Sequence, residues 1–142
     1  MIAVDTNILV YAHRRDVPQH RAASSRLRKL AEGGTLWAIP IFCLGEFVRV
    51  VTHPRLFELP HSAGEARTAV ENLVASPSLR VLLPGERFLS LSVQAIEEAN
   101  AIGNLVCDAL IVASCREAGV DILITEDRDF DRFRNFPTER LV

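Results

Sequence analysis

Lysine is almost missing from this chain of 142 residues. Of 16 lysine and arginine residues only Lys29 is a lysine, so any reaction that needs a catalytic lysine has one candidate. Paired-cysteine patterns are missing too. Cys43, Cys107 and Cys115 form no Cys-x-x-Cys or Cys/His array, which argues against a zinc site or disulfide framework and for buried free thiols. The four histidines, His13, His20, His53 and His61, lack ligand spacing. His53 precedes Pro54 and reads as a helix-end or loop residue that could reach a phosphate. Apolar runs are short and broken by charges, so no helix is expected to span a bilayer. No charged-then-apolar leader precedes Asp5, and the expected location is the cytoplasm. Repeats, low-complexity stretches and linkers are absent. What remains is 49% hydrophobic, which speaks against disorder. The expectation is one domain over residues 1–142, long enough for a real core.

The formal net charge is −2, but the distribution says more. Arg14, Arg15, Arg21, Arg26, Arg28 and Lys29 crowd one early segment. Arginine forks match phosphate oxygens two at a time, so Arg14, Arg15 and Arg21 are candidates to hold a phosphate backbone. A solvated helix face is the competing reading.

Strand and helix patterns alternate. Ile2 to Val4 reads as a first strand, and Ile8 to Ala12 as an apolar turn of helix. After Pro18 a helix runs to about Glu32, with Ala23, Leu27 and Leu30 inward, and Gly33-Gly34 ends it. Thr35 to Ile39 reads as a second strand. Pro40 opens a helix with the stripe Ile41, Leu44, Phe47, Val48 and Val51, and Pro54 stops it. Ser62 and Glu65 make a capping box for a helix reaching Val74. Further strands are expected at Leu79 to Leu83 and Asp121 to Thr125, with a short edge strand at Arg140 to Val142. Helices are expected from about Glu86 to Asn100 and from Asp108 to Ala118, the latter closed by Gly119. This alternation implies a three-layer α/β/α fold with a mainly parallel central sheet of four to five strands.

Four acids share an address in that pattern. Asp5, Glu46, Asp108 and Asp127 each lie at or just beyond the end of an apolar segment. In a parallel sheet the carboxyl ends of the strands line one edge, where sites form. Carboxylates gathered there repel one another and need a cation, and hard oxygen ligands suit Mg²⁺ or Mn²⁺. Singly, Asp5 could cap the next helix, Asp127 and Asp129 could be turn acids, Glu46 could be a solvated helix residue, and Asp108 could be an N-cap. Turn chemistry does not explain the set of four, which reads as a metal-dependent enzyme acting on phosphate esters.

The motifs around these acids resemble those of PIN-domain ribonucleases, most closely the VapC toxins of bacterial toxin–antitoxin pairs. The opening Ile2-Ala3-Val4-Asp5-Thr6-Asn7-Ile8-Leu9-Val10-Tyr11 matches the family's first motif. Ile39-Pro40 with Gly45-Glu46-Phe47 resembles the second, Cys107-Asp108-Ala109-Leu110-Ile111-Val112-Ala113 the third, and Leu123-Ile124-Thr125-Glu126-Asp127-Arg128-Asp129-Phe130 the fourth. Val50-Val51-Thr52-His53-Pro54-Arg55 is similar to a subgroup of these toxins.

The resemblance implies an endoribonuclease dependent on Mg²⁺ or Mn²⁺, with Asp5, Glu46, Asp108 and Asp127 as metal ligands and Asp129 joining them. Thr6, Asn7 and Thr125 correspond to positions that orient carboxylates or waters. It further implies an RNA substrate for the arginines to hold, a homodimer, and a small VapB-like antitoxin. An antitoxin arginine could pair with the acids, and Phe42, Phe47, Val51 and Phe57 could line a groove for its amphipathic helix, although ordinary core is the simpler reading of each. Phosphodiester hydrolysis through carboxylate-held ions needs no side-chain base, which agrees with a chain lacking histidine beside the acids. Two alternatives remain. One is a catalytically silent RNA- or protein-binding module, against which the complete acid set argues. The other is an aspartate-nucleophile phosphatase, which would want a second Asp where Asn7 stands and a catalytic lysine.

Overall fold

The computed structural model describes residues 1–141. Its centre is a five-stranded sheet in the order β3-β2-β1-β4-β5, with every neighbouring pair parallel. The strands are β1 Ile2–Val4, β2 Trp37–Pro40, β3 Leu79–Leu82, β4 Ile122–Ile124 and β5 Thr138–Glu139. Six helices connect them: α1 Thr6–His13, α2 His20–Glu32, α3 Ile41–Val51, α4 Ala63–Val74, α5 Phe88–Glu98 and α6 Asn104–Ala118. The result is the expected three-layer α/β/α arrangement. Strands buried on both faces read as unbroken apolar runs, and β2 is buried at all its positions. Trp37, Phe47, Phe130, Ile8, Leu9 and Ile39 are among the largest fully buried side chains.

Local chemistry sets most boundaries. Ser62 and Glu65 form the capping box of α4. Gly119 ends α6 at φ +69, a left-handed residue that favours glycine. Two boundaries differ from the sequence reading by more than two residues. Helix α6 begins at Asn104, so Asp108 lies inside it and is not its N-cap. Gly103, at φ +58, makes the turn, and Leu105 and Val106 start the helix through hydrogen bonds to Ile102 and Gly103. The last strand precedes the expected tail. Thr138 pairs with Leu123, and Glu139 with Ile124. Arg140 and Leu141 instead use a side chain and a backbone N–H to brace the loop after β4, and Val142 lies outside the described residues.

The strand order places a topological switch between β1 and β4. From β1 the chain builds outward through β2 and β3, then returns to lay β4 against the other side of β1. Crevices at the carboxyl ends of such strands are where open α/β sheets bind ligands. Asp5 follows β1, and Thr125 and Asp127 follow β4.

Candidate active site

Asp5 is the innermost acid, 4% exposed. Its backbone N–H continues the sheet by donating to Ile124 O. One carboxylate oxygen caps α1 by accepting from the Thr6 N–H at 2.7 Å. The other accepts from the Thr125 hydroxyl at 2.6 Å and the Asn7 amide at 3.2 Å. Capping and site placement, alternatives in the sequence, are combined in one side chain. Burial, with the charges of Glu46 and Asp127, pushes the Asp5 carboxyl up to about 6 despite the bonds from Thr125 and Thr6.

Only Asp5 and Asp127 follow strands. Glu46 and Asp108 are carried by α3 and α6, in the second turn of each. The helices still bring them over the switch point. Asp108, Asp127 and Asp129 each offer a carboxylate oxygen, all within 4.8 Å of one another. Asp108 is held up at about 7, first by burial, then by the charges of Asp127, Asp5, Asp129 and Glu46. Asp127 Oδ1 accepts from the Asp129 N–H at 2.9 Å, so this turn acid also faces the cluster. Arg140 braces the same loop through Thr125 O at 2.7 Å and Asp127 O at 3.0 Å. Among the described residues Asp5, Glu46, Asp108 and Asp127 have no salt-bridge partner, and Asp129 has only a 3.5 Å contact with Arg132.

Two clefts meet at these acids. An outer one of about 710 Å³ is lined by Glu46, Asp108, Asp127 and Asp129 with Arg49, Asn104 and Cys107. An inner one of about 380 Å³ runs from Asp5, Glu46, Asp108 and Asp127 to Tyr11, Val50, Leu56 and Phe57. No histidine lines either. Arg49 and Asn104 escaped the sequence reading, although helical spacing could have found them: Arg49 is three residues after Glu46, and Asn104 four before Asp108. The carboxylate oxygens of Asp5, Glu46, Asp108 and Asp127, which no described residue neutralises through a salt bridge, fit a hard divalent ion.

The sequence segment matching the PIN domain covers residues 2–135. This chain belongs to the PIN-domain family. Ribonuclease VapC43 of Mycobacterium tuberculosis is 39% identical to it over 134 residues, covering 94% of this chain and 90% of that protein. Ribonuclease VapC31 of the same organism is 34% identical over 133 residues, with 94% and 93% covered. The PIN fold also aligns with the VapBC2 structure from Rickettsia felis bound to a promoter DNA fragment, at a TM-score of 0.70, 20% identity, and 99% and 98% of the two chains. VapC20 of M. tuberculosis, a sarcin–ricin-loop-cleaving toxin, aligns with a TM-score of 0.65 at 21% identity, covering 92% and 93%.

Some expectations need correction on this PIN scaffold, whereas the helix-end place of His53 and the buried thiols of Cys43 and Cys115 stand. Arg14 does not face a phosphate backbone. It is 7% exposed, its guanidinium donates to Asp16 and to Leu59 O, and it lies 4.1 Å above the Phe57 ring. Arg15 and Arg21 are exposed. Phe47 and Val51 are fully buried and offer no groove, and Phe42 stacks on Phe88. His53 is a turn residue whose Nδ1 accepts from the Arg55 N–H at 3.1 Å. Cys43 and Cys115 are buried free thiols, whereas Cys107 is exposed at the outer cleft. The phosphatase reading fails on geometry: Asp5 is enclosed by hydrogen bonds, and Lys29, exposed on α2, lines neither cleft.

Proposed function

We propose that this protein is a metal-dependent endoribonuclease, the toxin member of a VapBC-type pair, acting as one PIN-like domain over residues 1–142. The observation that carries the reading is the convergence of Asp108, Asp127 and Asp129 within 4.8 Å, beside Glu46 and above the buried Asp5. Relatives named as VapC ribonucleases over most of the chain support it. The oxygen-only donor set favours Mg²⁺ or Mn²⁺, with Asp5, Glu46, Asp108 and Asp127 as ligands and Asp129 beside them. Such an ion would supply an activated water and neutralise the phosphate. The chain's own contribution is orientation. Thr125, Asn7 and the Thr6 N–H fix the Asp5 carboxylate, and Arg140 holds the loop that carries Asp127. Arg15, Arg21 and Arg49 supply exposed positive charge for the RNA backbone.

Two partners complete the proposal. A homodimer would cover the exposed apolar face of α5, where Leu89 and Val93 stand one turn apart. A small antitoxin would place an arginine on the unpaired carboxylates and occlude the site. Incubating pure protein with RNA and Mg²⁺ or Mn²⁺ tests the function: cleavage should occur, stop with EDTA, and be lost in Asp108→Asn. Metal-independent cleavage, or full activity in Asp108→Asn, would overturn it. Co-expression with the neighbouring small reading frame tests the toxin role. Absence of both a complex and relief of toxicity would remove that role and leave the nuclease standing.

A further inference from the structure

The eleven residues from Thr52 to Ser62 link α3 to α4 without helix or strand, yet they wall the inner cleft. Their ends are pinned by the His61 N–H to Val51 O bond at 2.8 Å. Between the ends, Arg14 reaches in from the end of α1. Its Nη1 donates to Leu59 O at 2.8 Å and to His61 Nδ1 at 3.1 Å. Asp16 takes Nε and Nη2 at 3.0 and 2.6 Å, which holds the fork in plane. The guanidinium then covers one face of Phe57 at 4.1 Å, an arrangement that fixes the ring. The cost of burying this guanidinium is offset by its bonds to Asp16, Leu59 O and His61, so the same contacts tie the loop to the end of α1.

What the loop presents is apolar and next to the acids. Leu56 is 56% exposed, and with Phe57, Val50 and Tyr11 it faces the same 380 Å³ space that Asp5, Glu46, Asp108 and Asp127 line. RNA is commonly read by splaying single-stranded bases onto aromatic and apolar side chains. A phosphate at the acids would leave its flanking base at this wall. A partner helix is the poorer fit, because the space opens on the carboxylates, where a phosphate would bring its own flanking base. We propose that the inner cleft seats a nucleobase beside the scissile phosphate, and that Arg14 is the positioning residue holding its outer wall. The proposal rests on the ribonuclease reading.

The test uses short single-stranded oligoribonucleotides that the wild-type protein cleaves, each with either an intact base or an abasic ribose beside the mapped cut. Base removal should lower kcat/KM about tenfold or more in the wild type. Leu56→Ala should cause a comparable loss on the intact oligonucleotide and none on the abasic one. Equal losses on both would overturn the base seat. So would unchanged cleavage by Leu56→Ala coupled with weaker suppression by antitoxin, which would make the wall a protein-docking surface. Arg14→Lys keeps the charge but loses the fork. It should raise KM, leave kcat near wild type and speed tryptic cutting after Arg55; unaltered KM and cutting would overturn its role. Should Arg14→Lys not fold, Phe57→Leu removes the ring that the guanidinium covers and must raise KM in the same way. A wild-type protein that cleaves no RNA overturns the ribonuclease reading and the base seat with it, whereas cleavage indifferent to the flanking base overturns the base seat alone.

Discussion

Asp5 does two jobs with one carboxylate. It caps α1 through the Thr6 N–H and is held for the site by Thr125 and Asn7. Asp5→Asn keeps the shape and an acceptor for the cap but removes the charge. RNA cleavage should fall by more than about a hundredfold while the fold survives, as read by circular dichroism beside the assay. Thr125→Val should cost about 10–100-fold, because it frees a carboxylate that an outer hydroxyl orients. The titration of these groups has a definite sign. The folded protein favours the protonated form of Asp5 and Asp108, whose carboxyls sit at about 6 and about 7 against 3.8 for the free side chain. Their contribution to metal-free stability is full below pH 3.8 and is lost as pH rises through 6 and 7. A metal reverses this, since it binds the ionised form. Melting curves at pH 5 and pH 8 should therefore show a larger gain from Mn²⁺ at pH 8. A gain at pH 5 equal to that at pH 8 would contradict it.

At the scale of elements, α3 and α6 are the arms that carry Glu46 and Asp108 over the switch point. Because Asp108 lies inside α6, its replacement leaves the helix start intact. Asp108→Asn should raise the melting temperature of the metal-free protein at pH 8, and the gain should shrink at pH 5, where Asp108 is already protonated. A lower melting temperature at pH 8 would show that the acids are not in mutual repulsion. Helix α6 is itself tied to α5 by the paired bonds from Arg116 to Glu98, both 2.9 Å. The Arg116 bonds hold the Glu98 carboxyl below its ordinary range. That stability is present above pH 4.5 and is lost as pH falls through the lowered folded value. Glu98→Ala removes a charge-assisted pair and should cost about 1–2 kcal/mol in urea unfolding at pH 7.

For the whole molecule, five acids at one edge of one sheet make folding and metal binding a single problem. An ion that binds only the folded state at about a hundred times its Kd adds about 2.7 kcal/mol, roughly 10 °C in a domain of this size. Differential scanning fluorimetry with Mg²⁺ or Mn²⁺ against EDTA reads this directly, and an unaltered melting temperature would count against the cluster as a metal site. The shift should be lost in a variant with Asp108, Asp127 and Asp129 all changed to Asn, which separates site binding from a general salt effect.

Most of the fold was legible because its signals are local. Strand and helix alternation, the Ser62–Glu65 box and Gly119 depend on neighbours a few residues apart, and each stands where its pattern put it. Asp5 and Asp127 were legible for the same reason, since Asp5 directly follows β1 and Asp127 lies three residues past β4. Other features depend on contacts between segments distant in the chain. The sequence alone shows Arg14 as one cation in a basic stretch; only packing brings Leu59, His61 and Phe57 against it and turns it inward. Asp108 looked like the start of a helix because the apolar run begins there, whereas Gly103 sets the true start one turn earlier. Asp129 joins Asp127 because the turn after β4, braced by Arg140 just past β5, folds it back, and it meets Asp108 because packing lays α6 over that turn. Short-range preferences decided which elements form; which side chains share a cleft was decided by the order 3-2-1-4-5, since only that order lays β4 beside β1 and brings residues more than a hundred positions apart within hydrogen-bonding distance.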